Sequence, residues 1–154
     1  MLAMAKGPQP GDRAPDFELA GTQGSFKLSD HSGQRVVLLF YPGDNTPVCT
    51  KQFCSYRDNS AGMEALDAVV VGISPQDVES HNEFVAKHSL NVPLLADLDK
   101  RVAADYGMTG ALGAKRGVVI IDVDGIVRYR HDHRLGLDFQ TVEELQQALA
   151  AVPA

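Results

Sequence analysis

The sequence contains no tryptophan, only two cysteines and fewer basic than acidic side chains. Its 14 lysines and arginines against 20 aspartates and glutamates give a net charge of −6. This balance argues against nucleic-acid binding, because attraction to phosphates requires a basic surface. No apolar run approaches the roughly 20 residues of a membrane-spanning helix. The first six residues carry too short an apolar stretch for a signal peptide, so we expect a soluble, cytoplasmic protein with no membrane partner.

Length and composition predict one folded domain over residues 1–154. Hydrophobic residues make up 44% of the chain and charged residues 22%, which is ordinary for a globular protein. A chain of this size buries roughly two thirds of its unfolded surface and needs no disulfide to fold. We find no internal repeat, low-complexity tract or linker that would mark a second domain.

Alternating strand and helix patterns predict an α/β fold. Continuous apolar runs rich in β-branched residues indicate buried strands at residues 36–41, 68–73 and 118–123. Shorter strands are expected at residues 16–19, 25–28, 93–96 and 126–130, the first two forming an N-terminal hairpin. Helical patterns cover about residues 48–58, 77–89, 99–106 and 141–151. Together these elements predict a central mixed sheet flanked by helices on both faces.

The two cysteines lie five residues apart, shortly after the first buried strand. Cys49 falls in the first turn of a predicted helix, where backbone N–H groups and the helix dipole favour a thiolate. Thr46, three residues earlier, would place a hydroxyl beside that sulfur. In an ideal helix the Cα atoms of Cys49 and Cys54 lie about 8.7 Å apart, whereas a disulfide requires roughly 4.4–6.8 Å. A bond between them therefore requires local unwinding, which predicts a redox-coupled conformational switch.

Spacing alone leaves a plainer interpretation open, in which both cysteines are small buried hydrophobic residues. A metal site is weakly indicated, because the chain has no C-x-x-C or C-x-x-H knuckle. The glycine-rich stretch at 107–113 lacks the spacing of a nucleotide-binding loop, so we expect no cofactor and no metal. From its neighbours in the sequence alone, Arg116 is predicted to be a surface charge ahead of a strand. His81 is likewise predicted to be a surface histidine among polar neighbours.

The segment from Pro42 through Thr46 to Cys49 resembles the P-x-x-x-T-x-x-C active-site signature of the peroxiredoxins. The spacing of Cys49 and Cys54 is similar to that of the PrxQ subfamily, also called bacterioferritin comigratory protein. Weaker matches occur in the same order along the chain, at residues 11–19, 71–74 and 122–125. The resemblance implies a thioredoxin-like fold, a monomer, and thiol-dependent reduction of hydrogen peroxide and organic hydroperoxides.

The resemblance also assigns roles to five residues. Cys49 matches the peroxidatic cysteine, and Cys54 matches the resolving cysteine that forms an intramolecular disulfide with it. Thr46 matches the threonine that hydrogen-bonds thiolate and peroxide. Pro42 matches the proline that shields the site, and Arg116 the arginine that stabilises the thiolate. The disulfide would then be reduced by thioredoxin or a similar dithiol protein.

The sequence departs from the family pattern at two positions beside the cysteines. Val48 stands where many members have glycine, and Gln52 where many have glutamate, which keeps a hydrogen-bonding group but removes a charge. The leading rival function is a redox-sensing or holdase-type binding protein that uses the same disulfide switch without turnover. A third possibility is a non-catalytic thioredoxin-like domain, whose cysteine would show no special reactivity.

Overall fold

The computed structural model describes residues 7–44, 46–110, 113–133 and 139–153. In chain order, the strands are β1 (Glu18–Leu19), β2 (Phe26–Lys27), β3 (Val36–Phe40), β4 (Val69–Ser74), β5 (Leu94–Ala96), β6 (Thr109–Gly110), β7 (Gly113–Ala114), β8 (Arg116–Ile121) and β9 (Val127–His133). The helices are α1 (Pro47–Asp58), α2 (Ser60–Glu64), α3 (Val78–His88), α4 (Arg101–Asp105) and α5 (Val142–Ala150), and a 3₁₀ turn covers Leu28–His31.

Five strands form the main sheet in the order β5-β4-β3-β8-β9. Strand β3 is parallel to β4, and β4 is parallel to β5, whereas β8 is antiparallel to both β3 and β9. Strands β1 and β2 pair separately as an antiparallel hairpin. The predicted mixed central sheet and N-terminal hairpin are therefore confirmed.

The central strand β3 divides the core into two layers. All five of its residues are buried, and successive side chains point to opposite faces of the sheet. Val36, Leu38 and Phe40 pack with the hairpin and α4, whereas Val37 and Leu39 pack with α1, α3 and α5. A continuous apolar run is what a strand covered on both faces requires, which is why the sequence identified this element.

Helix α1 packs against the sheet through one buried stripe. Cys49, Gln52, Phe53 and Tyr56 are its buried residues, and their spacing of three and four places them on one helical face. Pro47 occupies the first helical position, where its missing N–H costs nothing. The stripe carries a glutamine among apolar residues, which lowers the amphipathic signal but places an amide inside the protein.

Side chains cap the starts of two predicted helices, although some element boundaries shift. Asp77 accepts a hydrogen bond from the Ser80 backbone N–H at the start of α3. Thr141 and Glu144 form a full capping box at the start of α5. The sequence patterns did not predict α2 or the short β6–β7 pair, and they placed the start of β8 two residues too late. Within the described part of the chain, no helix is long and apolar enough to cross a membrane.

Replacing Gly72 with alanine tests how closely α1 packs on β4. An added Cβ would lie 2.8 Å from Leu94 Cδ2 and 3.0 Å from Phe53 Cζ, and both side chains are fully buried. Overpacking of this kind costs about 1–3 kcal/mol, so we expect a lower free energy of unfolding in urea. Gly110→Ala is the matched control, because among the described residues its added carbon meets the flexible Lys115 side chain, at 3.3 Å. Equal losses in the two variants would contradict this packing argument.

Candidate active site

The sheet register brings Arg116 to the start of α1. Phe40, the last residue of β3, pairs with Gly117 of the antiparallel strand β8. Arg116, the first residue of β8, therefore lies at the end of the sheet where the chain leaves β3 towards α1. Arg116 and Cys49 are 67 positions apart in the chain, so only this strand pairing makes them neighbours.

The Arg116 guanidinium contacts the sulfur of Cys49 directly. Its Nη2 donates to Cys49 Sγ at 2.9 Å, while Cys49 is 0% exposed and Arg116 is 2% exposed. A cation beside a sulfur, shielded from water, stabilises the thiolate more than the neutral thiol. The interpretation of Arg116 as an ordinary surface charge is therefore wrong.

The N-terminus of α1 adds a second favourable influence on the sulfur. Cys49 is the third residue of the helix, and the backbone N–H of Thr50 donates to Thr46 O at 2.9 Å. The N–H groups of Val48 and Cys49 precede the first hydrogen bond of the helix, so the helix itself cannot satisfy them. These groups and the positive end of the helix dipole favour an anion at this point.

Thr46 and Pro42 lie on the loop that leads into α1. Thr46 is the N-cap residue of α1, and its hydroxyl donates to the Gly43 carbonyl at 3.2 Å. Pro42 is exposed. The roles that the resemblance gives them, binding the thiolate and shielding the sulfur, stay predictions.

Cys54 lies in the same continuous helix as Cys49, and both are free thiols. Cys54 is half-buried and packs against the core cluster that contains Cys49. The two are five helical residues apart, so the structure does not contain the disulfide that the resemblance implies. Its formation, and the resolving role of Cys54, stay predictions that require α1 to unwind.

A buried polar network that the sequence analysis missed lies beneath the loop. The carboxylate of Asp44 accepts hydrogen bonds from the Tyr41 hydroxyl and the Ser80 hydroxyl, each at 2.7 Å. Nδ1 of His81 lies 2.7 Å from the same carboxylate, and both side chains are completely buried. The network therefore joins the loop to the end of β3 and to α3.

Two further contacts extend this network to the neighbouring strands. Nε2 of His81 lies 2.9 Å from the carbonyl oxygen of Leu95 in β5, and a carbonyl can only accept. The backbone N–H of Asp44 donates to Oε1 of Gln76, which follows β4. The loop that positions Cys49 is thus anchored to two strands and one helix.

The surroundings of Asp44 and Tyr41 shift their pKa values in opposite directions. Burial acts to raise the pKa of Asp44, but hydrogen bonds from His81, Tyr41 and Ser80 outweigh it and lower that pKa. Burial, followed by the charge of Asp44, raises the pKa of Tyr41 well above its usual value. Asp44 is therefore held as a carboxylate and Tyr41 as a neutral phenol that donates a hydrogen bond.

The prediction that His81 is a surface residue is wrong, since it is 0% exposed. Its polar sequence neighbours masked its position. The signal that would have found it is its spacing of three residues from Phe84, because these two are the buried residues of α3. Among the residues that the structure describes, no group of three or more potential ligands is placed to hold a metal ion.

Comparison with known proteins identifies the family. The sequence profile of the AhpC/TSA family matches residues 10–130. Peroxiredoxin Bcp of Bacillus subtilis (strain 168) is 39% identical over 124 residues, which cover 75% of this chain and 79% of that protein. A putative peroxiredoxin bcp of Helicobacter pylori (strain J99) is 40% identical over 126 residues, covering 76% of this chain and 83% of that protein.

The solved structures agree with the sequence relatives. The crystal structure of peroxidoxin BcpB from Mycobacterium tuberculosis has a TM-score of 0.82 and 32% sequence identity to this chain, covering 96% of this chain and 99% of that one. This chain therefore belongs to the AhpC/TSA family. Its architecture is the thioredoxin-like fold that the sequence resemblance predicted.

Replacing Asp44 with asparagine should destabilise the protein in a pH-dependent way. The variant replaces the buried carboxylate that accepts hydrogen bonds from the Tyr41 and Ser80 hydroxyls. A buried group left without its partner costs about 1–3 kcal/mol, so the variant should unfold at a lower urea concentration at pH 7. The pKa of Asp44 is lowered in the folded state. Its carboxylate thus contributes stability that is fully present above the unfolded-state pKa of about 3.9 and is lost as pH falls through the folded-state pKa.

The stability difference between the wild type and Asp44→Asn should therefore hold steady from neutral pH to about pH 5 and shrink below about pH 4. Asp58→Asn serves as the control, because Asp58 forms an exposed pair with Arg57 and such pairs contribute about 0–1 kcal/mol. A difference that stays constant into strong acid would show that the charge of Asp44 does not stabilise the fold.

Proposed function

We propose that this protein is a thiol peroxidase that reduces hydrogen peroxide and organic hydroperoxides through Cys49. The single observation that carries the proposal is the 2.9 Å contact between Arg116 Nη2 and Cys49 Sγ at the N-terminus of α1. That environment suits a thiolate nucleophile. Relatives named peroxiredoxins, at 39–40% identity over about three quarters of the chain, support the same class of activity.

The chemical step is an in-line displacement at oxygen. The Cys49 thiolate attacks one peroxide oxygen, an S–O bond forms, and the O–O bond breaks with its electron pair going to the departing oxygen. The departing hydroxide or alkoxide takes up a proton and leaves as water or alcohol, while Cys49 becomes a sulfenic acid. Arg116 and the N-terminal N–H groups of α1 are placed to stabilise the developing negative charge.

In the proposed cycle Cys54 then resolves the sulfenic acid. Its thiol attacks the Cys49 sulfur, an S–S bond forms and water departs. Because both cysteines lie in one continuous helix, part of α1 must unwind before the sulfurs can meet. Thioredoxin or a similar dithiol protein would reduce the disulfide by exchange. A monomeric state, a cytoplasmic location and the absence of a cofactor belong to the same proposal.

Intact-mass analysis of the reduced protein tests the first half of this cycle. One equivalent of hydrogen peroxide should rapidly remove two hydrogens from the wild type, and peptide mapping should place a link between Cys49 and Cys54. Cys49→Ser should show no such change, because it lacks the nucleophile. A wild-type mass that stays constant for many minutes would overturn the proposal. Formation of the link without repeated turnover in the presence of thioredoxin would favour a redox-sensing protein instead.

Replacing Cys54 with serine separates attack from resolution. Cys54→Ser should still react once with peroxide at the wild-type rate, because Cys54 takes no part in that step. The sulfenic acid then persists, so excess peroxide should add further oxygens to Cys49 and give sulfinic and sulfonic acids. Mass spectrometry after stepwise peroxide addition measures both effects. If this variant failed to react even once, Cys54 would have a part in the attack itself.

A further inference from the structure

Arg116 is held on a second side by Gln52, which is itself part of a longer series of buried hydrogen bonds. Oε1 of Gln52 accepts from Arg116 Nη1 at 2.5 Å, while Nη2 of the same guanidinium donates to the Cys49 sulfur. Gln52 lies one helical turn after Cys49 and is 1% exposed. The amide therefore helps to set the direction in which the guanidinium faces the sulfur.

The other end of the Gln52 amide is held by Tyr56. Nε2 of Gln52 donates to the Tyr56 hydroxyl at 3.0 Å, and that hydroxyl donates to the backbone carbonyl of Gln140 at 2.6 Å. Burial raises the pKa of Tyr56, so its phenol keeps the proton that it donates. Each donor in this series thus points the same way, from Arg116 through Gln52 and Tyr56 to a backbone oxygen just before α5.

The order of donors in this series of hydrogen bonds fixes the orientation of the Gln52 side-chain amide. An amide group has an accepting and a donating end, and only the accepting end suits a guanidinium. Without an acceptor at Tyr56, the buried NH₂ group of Gln52 would lack a partner on that side, which is costly. The Tyr56 hydroxyl satisfies it and leaves Oε1 facing Arg116.

A glutamate at position 52 would change this arrangement. It would accept from both Arg116 and the Tyr56 hydroxyl, which would remove the hydrogen bond to the Gln140 carbonyl. It would also bring a second negative charge to the cation that faces the sulfur. On this side, Arg116 is held by the neutral amide of Gln52, which Tyr56 supports in turn.

We propose that Tyr56 is a positioning residue for the reaction of Cys49, acting through Gln52 on Arg116, with the Gln140 carbonyl as its fixed point. This inference rests on the proposed peroxidase function. Gln52 and Tyr56 lie on either side of Cys54 in α1, so unwinding this part of the helix breaks the series of hydrogen bonds. Arg116 is then supported in this way only while α1 is folded, which is the state that attacks peroxide.

Tyr56→Phe tests the proposal, because it removes one hydroxyl and keeps the ring that packs against Phe53. Stopped-flow oxidation by hydrogen peroxide should be about tenfold slower, less than the roughly 10²–10³-fold cost of losing a direct electrostatic donor. In a Cys54→Ser background, the pH profile of Cys49 alkylation by iodoacetamide should shift to higher pH. That second readout follows the thiolate without any peroxide.

Tyr106→Phe is the matched control. Tyr106 is equally buried, and its hydroxyl also donates to a backbone carbonyl, that of Pro15, at 2.5 Å. It belongs to the core layer on the opposite face of the sheet from Cys49. It should lose stability in urea as Tyr56→Phe does, while its oxidation rate and alkylation profile should match those of the wild type.

The double variant Gln52→Glu/Tyr56→Phe provides a rescue. A carboxylate has no NH₂ group to satisfy and accepts from Arg116 in either orientation, so part of the lost rate should return. Wild-type kinetics in Tyr56→Phe, or equal slowing in Tyr106→Phe, would overturn the positioning role. If the wild type itself fails to react with peroxide, the proposed function fails, and the alkylation profiles still decide whether Tyr56 affects the thiolate.

Discussion

The contact between a buried guanidinium and a buried sulfur is the constraint on which the rest of this structure depends. A charge removed from water is costly unless another group compensates it. Arg116 meets that requirement with the sulfur of Cys49 on one side and the amide of Gln52 on another. The strand that carries Arg116 and the helix that carries Cys49 must therefore keep a fixed relative position, and the surrounding core serves that purpose.

Two buried networks support the elements that carry Cys49 and Arg116. On the loop side, Asp44 and His81 join the segment before α1 to α3 and β5. On the helix side, Gln52 and Tyr56 join Arg116 to the backbone before α5. The helix-side network runs through α1 itself, so it cannot survive the unwinding that a Cys49–Cys54 bond demands. The reduced state thus supports the sulfur from both sides, and the proposed catalytic cycle has to break part of that support at each turn.

Local patterns predicted most of the fold and the centre of the site. The apolar run of β3, the capping box at Thr141 and the N-cap at Asp77 each depend on residues within a few positions, so the sequence displays them directly. His81 was misjudged for the opposite reason. Its neighbours along the chain are polar, and its burial depends on Asp44, a residue 37 positions away. Helix α2 was missed because five residues are too few to give a periodic signal.

The sequence by itself determined that Cys49 lies in the first turn of a helix after a buried strand, and that Cys54 cannot reach it while the helix is intact. Both conclusions follow from helix geometry over a few residues. The family resemblance implied that Arg116 stabilises the thiolate, but only the tertiary structure showed that Arg116 is buried against that sulfur and that Gln52 links it to the Tyr56 hydroxyl. The antiparallel pairing of β8 with β3 and the packing of α1 on the sheet create these contacts. Sequence patterns do not report them, because groups distant in the chain meet only when the whole core is assembled.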